Sequence, residues 1–248
     1  MCLIALFFRV VEDSPLVVGA NREEAYARGG EPPHLLDGPC RAVAGTDPLA
    51  GGTWLGINAQ GLVVAVTNRR KSEVPPWPRS RGLLARELLG CAAAVAAAEQ
   101  AARELGRNVY AGCNVVCADP SAAVVVLFGD WLRVRPLPPG IHVLTNHDIN
   151  DGSDRRLGYA LRWLRGRTYR NAEQCVEALK ELCGQTGDGG TPPICLRGPE
   201  RGTVSSSILA LRRPPARGIY LHAQGPPDCT AYADYSALLD RLRETPEG

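Results

Sequence analysis

A cysteine stands second in this chain of 248 residues, directly ahead of the apolar run LIALFFRVV at 3–11. Once Met1 is removed, Cys2 carries both a thiol and a free α-amine. A thiol is nucleophilic only as the thiolate, and free cysteine titrates near about 8.5. An α-amine titrates near about 7.7–8.0, so part of it is an uncharged base at neutral pH. The two groups together need no histidine, because the amine can take the thiol proton, as it does for N-terminal threonine nucleophiles. Aminopeptidases remove Met ahead of a small residue, and Cys qualifies. The competing reading is an ordinary buried or exposed thiol.

Polar residues that could surround it stand where apolar runs end: ANREE at 20–24, GGTWLG at 51–56, VTN at 66–68, YAGCN at 110–114 and LTN at 144–146. Other chemistry finds less support. Net charge is +2, and no run of Arg or Lys is long enough to form a nucleic-acid stripe. Nine scattered cysteines contain no CxxC, which argues against a disulfide framework. Cys113 and Cys117 lie four apart on an expected strand, so they share a face and read as buried free thiols. The four histidines, His34, His142, His147 and His222, form no HExxH pattern, so no metal is expected. The apolar start lacks a basic n-region and is interrupted by Arg9, which does not fit a secretory leader. No integral membrane segment is expected, and the reading is a cytoplasmic protein with a single domain over 1–248.

The elements that must position these residues come in blocks. Residues 3–11 and 14–20 read as strands joined by EDSP. A Pro- and Gly-rich loop over 29–52 follows, then two strands hinged at Asn58-Ala59-Gln60-Gly61. Helices are expected over 80–90 and 92–106, strands across 109–145, then helices over 153–166 and 171–184, with Ser80, Ser153 and Asn171 as caps. Strands at 203–213 and 218–225 and a short helix near 234–243 close the chain. Strands grouped between helix pairs indicate an α+β fold with mostly antiparallel sheets. The loops at 29–52 and 184–202 are long enough to suggest a lid or pocket wall.

The MC start, ANREE, GGTWLG, AVTN, the Y-x-G-x-N segment at Tyr110–Asn114 and GTVSS at Gly202–Ser206 occur in order over nearly the whole chain. Together they resemble the NRDE family, also called the Transport and Golgi organisation protein 2 family. That family is similar to the N-terminal nucleophile (Ntn) hydrolases, which implies a four-layer αββα sandwich of two stacked sheets. By the same resemblance Cys2 is the nucleophile and its amine the base, Arg22 lowers the thiol pKa, and Glu24 holds the amine. Glu23 could take that last role instead. Asn68 and Asn146 are the oxyanion donors, for which neutral amides suit because they donate without adding charge. Asn21, Trp54 and Asn114 are assigned to substrate binding. Each has a plainer reading: strand-end turns for the two asparagine donors, a surface ion pair for Arg22 and Glu24, core packing for Trp54, and a buried hydrogen-bonding residue for Asn114. Two departures stand out. Val204 replaces the arginine of the family's GTRSS, and Glu23 replaces the aspartate of NRDE.

Two functions follow from the resemblance. One is a cysteine amidohydrolase or acyl-transfer enzyme acting on a linear amide of a small-molecule acyl substrate, with no cofactor. The other is a non-enzymatic carrier in haem or acyl-CoA and lipid trafficking, in which haem would be the ligand. No nucleic-acid partner is expected in either case.

Overall fold

The computed structural model describes residues 2–36, 41–212 and 218–243. Met1, whose removal the N-terminal chemistry requires, lies outside the described residues, as do Cys40 and Arg213. Strands β1 (Leu3–Phe8) and β2 (Leu16–Ala25) are followed by β3 (His34–Leu35), β4 (Ala42–Ala44), β5 (Leu55–Asn58) and β6 (Val63–Asn68). Helices α1 (Arg81–Leu88) and α2 (Ala94–Gly106) lead into β7 (Cys113–Ala118), β8 (Ala123–Phe128), β9 (Leu132–Pro136) and β10 (Gly140–Leu144). Then come α3 (Arg155–Arg165), α4 (Ala172–Cys183), β11 (Arg201–Leu211), β12 (Ile219–Ala223), β13 (Ala233–Asp234) and α5 (Ala237–Arg243).

The blocks fall where the sequence places them, with three informative differences. The stretch at 29–52, expected as a loop, carries β3 and β4 at the edge of the seven-stranded sheet. β2 runs on to Ala25, so ANREE is strand and does not follow it. The cap of α3 is Asp154, whose carboxylate accepts the Leu157 N–H at 2.6 Å, and not Ser153, which bonds Asp151. A carboxylate there satisfies an orphan donor and opposes the positive end of the helix dipole. Ser80 and Asn171 cap α1 and α4 as expected. The β5–β6 hairpin turns at Gly61, with φ of 83°, where a side chain would be strained.

The strands form two antiparallel sheets, one ordered β10-β1-β2-β11-β12-β13 and one running β3 to β9 in chain order. Strand alternation sorts their side chains. Ile4, Leu6 and Phe8 of β1 meet Val116 and Ala118 of β7 between the sheets. Leu3, Ala5 and Phe7 turn instead to α3 and α4, while Cys113, Val115 and Cys117 turn to α1 and α2. Both faces of each sheet are covered except at the exposed edge strands β9 and β13, which is why the inner strands read as unbroken apolar runs. The result is the αββα sandwich implied above. Cys113 and Cys117 are indeed buried on one face, and burial pushes the Cys113 thiol up to about 12. Among the described residues no helix is long and apolar enough to cross a membrane.

Helix α1 seats its first turn on the GGTWLG segment through backbone contact. A Cβ at Gly52 would lie 2.3 Å from the Gly82 carbonyl carbon and 2.6 Å from the Leu83 nitrogen. Backbone cannot step aside as a flexible side chain can, so Gly52→Ala is expected to cost about 1–3 kcal/mol. Urea denaturation checks this, with a lowered midpoint at unchanged slope expected.

Candidate active site

Strand polarity gathers the polar motif ends at one end of the sandwich. The β1 start lies beside the β2 end and the β10 end, and the β11 start lies beside the β2 end. The β6 end reaches them from the other sheet, where the Thr67 hydroxyl donates to the Thr145 carbonyl at 2.7 Å. One step beyond the last β1–β2 pair, Leu3 with Asn21, brings Cys2 opposite Arg22.

Cys2, Arg22, Glu23, Glu24, Trp54 and Asn68 line one cleft of about 390 Å³. An adjoining cavity, sharing Glu23 and Asn68 as walls, is lined by Asn146 as well. The Cys2 thiol is half-buried. Burial first, and then the negative charge of Glu23, push its pKa up; the Glu23 backbone N–H facing the sulfur and the Arg22 charge oppose that. Arg22 therefore acts in the expected direction and is outweighed. Its guanidinium donates to the Gly29 carbonyl and stacks 4.4 Å from the Trp54 ring. Trp54 is in turn wedged against Gly45, where a Cβ would sit 2.7 Å from the indole. Trp54 thus braces Arg22 and also walls the cleft.

The two acids differ sharply. Glu23 is 4% exposed and takes a two-pronged ion pair from Arg156 of α3, whose Nη1 donates at 3.2 Å and Nη2 to the other oxygen. Arg156 also donates to the Ile194 and Pro193 carbonyls. Glu24 is more open. It accepts its neighbour's Ala25 N–H at 2.9 Å and lies 3.8 Å from Arg28 and 3.6 Å from Arg201. Of the pair, Glu23 is the one whose charge bears on the thiol.

Asn68 spends its side-chain amide on no other described residue, and the Asn146 Oδ1 is buried without a partner. Neither side chain has a hydrogen bond to a described residue, so the Nδ2 groups of Asn68 and Asn146 remain as donors, while the open Asn146 Oδ1 is an acceptor. Asn21 and Asn114 are placed elsewhere. Asn21 is 1% exposed and turns to the helix layer, donating to the Cys183 and Ile194 carbonyls at 3.0 and 3.2 Å. Asn114 is fully buried. Its Nδ2 donates to Thr67 Oγ1 and to the Thr145 and His147 carbonyls at 3.1–3.2 Å, and its Oδ1 accepts from Arg69. It grips the backbone on either side of Asn146 and offers nothing to a substrate. Val204 is the unpaired residue of the β11 bulge between Thr203 and Ser205 and lines a third cavity with Arg22 and Arg197. The loop at 29–52 supplies Asp47, Ala50 and Gly52 to the cleft wall, as a pocket-wall loop should. Sequence reasoning missed Arg156, which belongs to no motif; its only signal was an arginine in the first turn of a helix.

A family model described as Transport and Golgi organisation 2 matches residues 1–191. The Transport and Golgi organization 2 homolog of Mus musculus is 31% identical over 159 residues, 59% of this chain and 57% of that protein. The aligned stretch thus spans little more than half of the curated relative. Among solved structures, the penicillin V acylase from Agrobacterium tumefaciens superposes with a TM-score of 0.61 at 14% identity, covering 95% of this chain and 86% of that one. The Caenorhabditis elegans N-acylethanolamine-hydrolyzing acid amidase ortholog gives 0.59 at 19%, covering 86% and 94%. At these identities the likeness establishes the fold, which is that of the Ntn hydrolases.

Burial holds the Glu23 carboxyl above its ordinary 4.5, with Arg156 pulling it down. A carboxyl raised in the folded state adds stability below its unfolded pKa, and that contribution is lost as pH rises through the folded value. Removing the Arg156 charge raises the folded value further. Arg156→Met is therefore expected to be mildly destabilised below pH 4.5 and to lose about 3–5 kcal/mol at neutral pH. Chemical denaturation across that range checks it; a loss independent of pH would mean that packing, not charge, is what Arg156 supplies.

Proposed function

The chain belongs to the Transport and Golgi organisation 2 family, and from that premise and the geometry of the cleft we propose that it is an amidohydrolase or acyltransferase with Cys2 as its nucleophile. The observation that carries the reading is the convergence of Cys2, Arg22 and the unengaged Asn68 amide on one cleft. The raised thiol sharpens the requirement for a base at the sulfur, and the α-amine of Cys2 itself, freed by Met1 removal, is that base.

The thiol proton passes to the amine as sulfur attacks the amide carbonyl carbon. The oxyanion forms within reach of Asn68, with Asn146 in the adjoining cavity as the second donor. Collapse breaks the C–N bond, and the ammonium returns its proton to the leaving amine. Water then attacks the thioester, giving the free acid and restoring the thiol; an amine in place of water makes the reaction an acyl transfer. Glu23, in place of Glu24, holds the ammonium, since its charge already bears on the thiol. The structural neighbours named as an acylase and an amidase work on amides, which supports this choice of bond. The family's name, by contrast, leaves room for a carrier that holds an acyl or haem ligand in the same cleft without turnover.

In protein whose intact mass shows Met1 gone, an N-acyl amide library should reveal turnover. Cys2→Ala should lower that turnover on the order of 10³-fold or more at an unchanged thermal midpoint. Binding without turnover by the Met1-free wild type would favour the carrier, and undiminished turnover in Cys2→Ala would end the nucleophile assignment.

A further inference from the structure

Four guanidinium groups line the cleft of Cys2, those of Arg22, Arg28, Arg79 and Arg81. Arg28 is paired with Asp47 at 2.6 Å, and Arg79 with Glu87 and Glu104 at 2.6 and 3.1 Å. The other two have no ion pair among the described residues. Arg81 donates to the Gly112 carbonyl at 2.9 Å. Arg22, only 6% exposed, has the Gly29 carbonyl and the Trp54 ring. Glu24 and Asp47 favour its charge from farther away, yet burial still lowers its pKa. A guanidinium taken out of water without a counter-charge is costly, and an arriving anion relieves that cost.

The backbone adds to this. Arg81 and Gly82 open α1, and the Ser80 hydroxyl satisfies the Leu83 N–H. The N–H groups of Arg81 and Gly82 have no partner among the described residues. Gly52, with no side chain, lets this turn sit against the cleft wall.

We propose that Arg81, together with Arg22 and the two open N–H groups of α1, forms an anion subsite, and that the substrate is an amide carrying a single carboxylate, as in an N-acyl amino acid. The planar guanidinium fork suits a carboxylate. The inference rests on the cleft being the substrate site, but not on Cys2 being catalytic. Arg81 is the residue that sets specificity.

Alkylation of Cys2 by iodoacetate and by iodoacetamide, followed by mass spectrometry of the N-terminal peptide, tests it. Both reagents attack the same thiolate, so the ratio of their rates is independent of the thiol pKa. The ratio, normalised to that of N-acetylcysteine, is expected to be about fivefold or more in favour of iodoacetate at low salt. It should fall to that of N-acetylcysteine in Arg81→Gln and be retained in Arg81→Lys, a pattern that loss of the Gly112 hydrogen bond alone would not give. A wild-type ratio equal to that of N-acetylcysteine, or one unchanged in Arg81→Gln, overturns the subsite. A second measurement does not depend on thiol reactivity: calorimetry on Cys2→Ala with N-phenylacetylglycine and its uncharged amide. The acid should bind about tenfold tighter, or 1.4 kcal/mol, and equal binding refutes the subsite. Because neither readout needs turnover, an inactive protein with a clear anion preference sinks the enzyme reading alone, and an active one without it sinks only the subsite.

Discussion

A carboxylate removed from water must find a positive partner, and at the end of β2 that requirement ties three layers of the molecule together. Glu23 is held by Arg156 of α3, and the same guanidinium binds the carbonyls of Pro193 and Ile194 in the loop before β11. The end of β2 is thereby fixed to the helix layer, and with it the register that sets Cys2 opposite Arg22. The pair also sets the electrical environment of the thiol. Glu23 is a charge close to the sulfur in a half-buried site, and burial first and that charge second raise the thiol against the Glu23 backbone N–H and the Arg22 charge. Such a place disfavours a resting thiolate and favours a neutral thiol that ionises only when its proton has somewhere to go.

The opposite wall of the cleft is held by hydrogen bonds instead of charge. Thr67 and Asn114 bind the backbone around Asn146 from the second sheet, joining the two sheets at their open end. With those groups fully used, Asn68 and Asn146 are left as polar side chains held in place and not consumed by the fold. Rigid backbone beneath a free amide is what a preorganised donor requires.

How far the sequence could be read depended on the range of each interaction. The strand blocks, the helix pairs, the Gly61 turn and the caps at Ser80 and Asn171 rest on local periodicity and were legible. So was the cluster of Cys2, Arg22, Trp54 and Asn68, because motif ends at strand ends converge once the sheets stack. Ending the second strand at residue 20 concealed the alternation of ANREE. As strand, it sends Asn21 and Glu23 to one face and Arg22 and Glu24 to the other, which accounts for Asn21 facing α4 and for Glu23 reaching α3. Asn114 is polar in the middle of a buried strand, and only its partners across the sheets explain it. Arg156 and Arg81 were not legible at all, because a surface arginine and a buried or unpaired one look alike until their neighbours are known.

The two sheets differ in how far along the chain their strands must reach to pair. From β3 to β9 every neighbour in the sheet is the next strand in sequence, so that sheet closes through short loops and, at its widest, the α1–α2 excursion. The other sheet pairs β1 with β10 and β2 with β11, which closes loops of more than a hundred residues and carries a correspondingly larger entropic cost. During synthesis the sequential sheet can therefore be complete while β1 and β2 still lack both outer neighbours. The start of β1 therefore stays outside any finished layer until β10 and β11 have been made, so the wall that carries Cys2 is the last part of the cleft to be set.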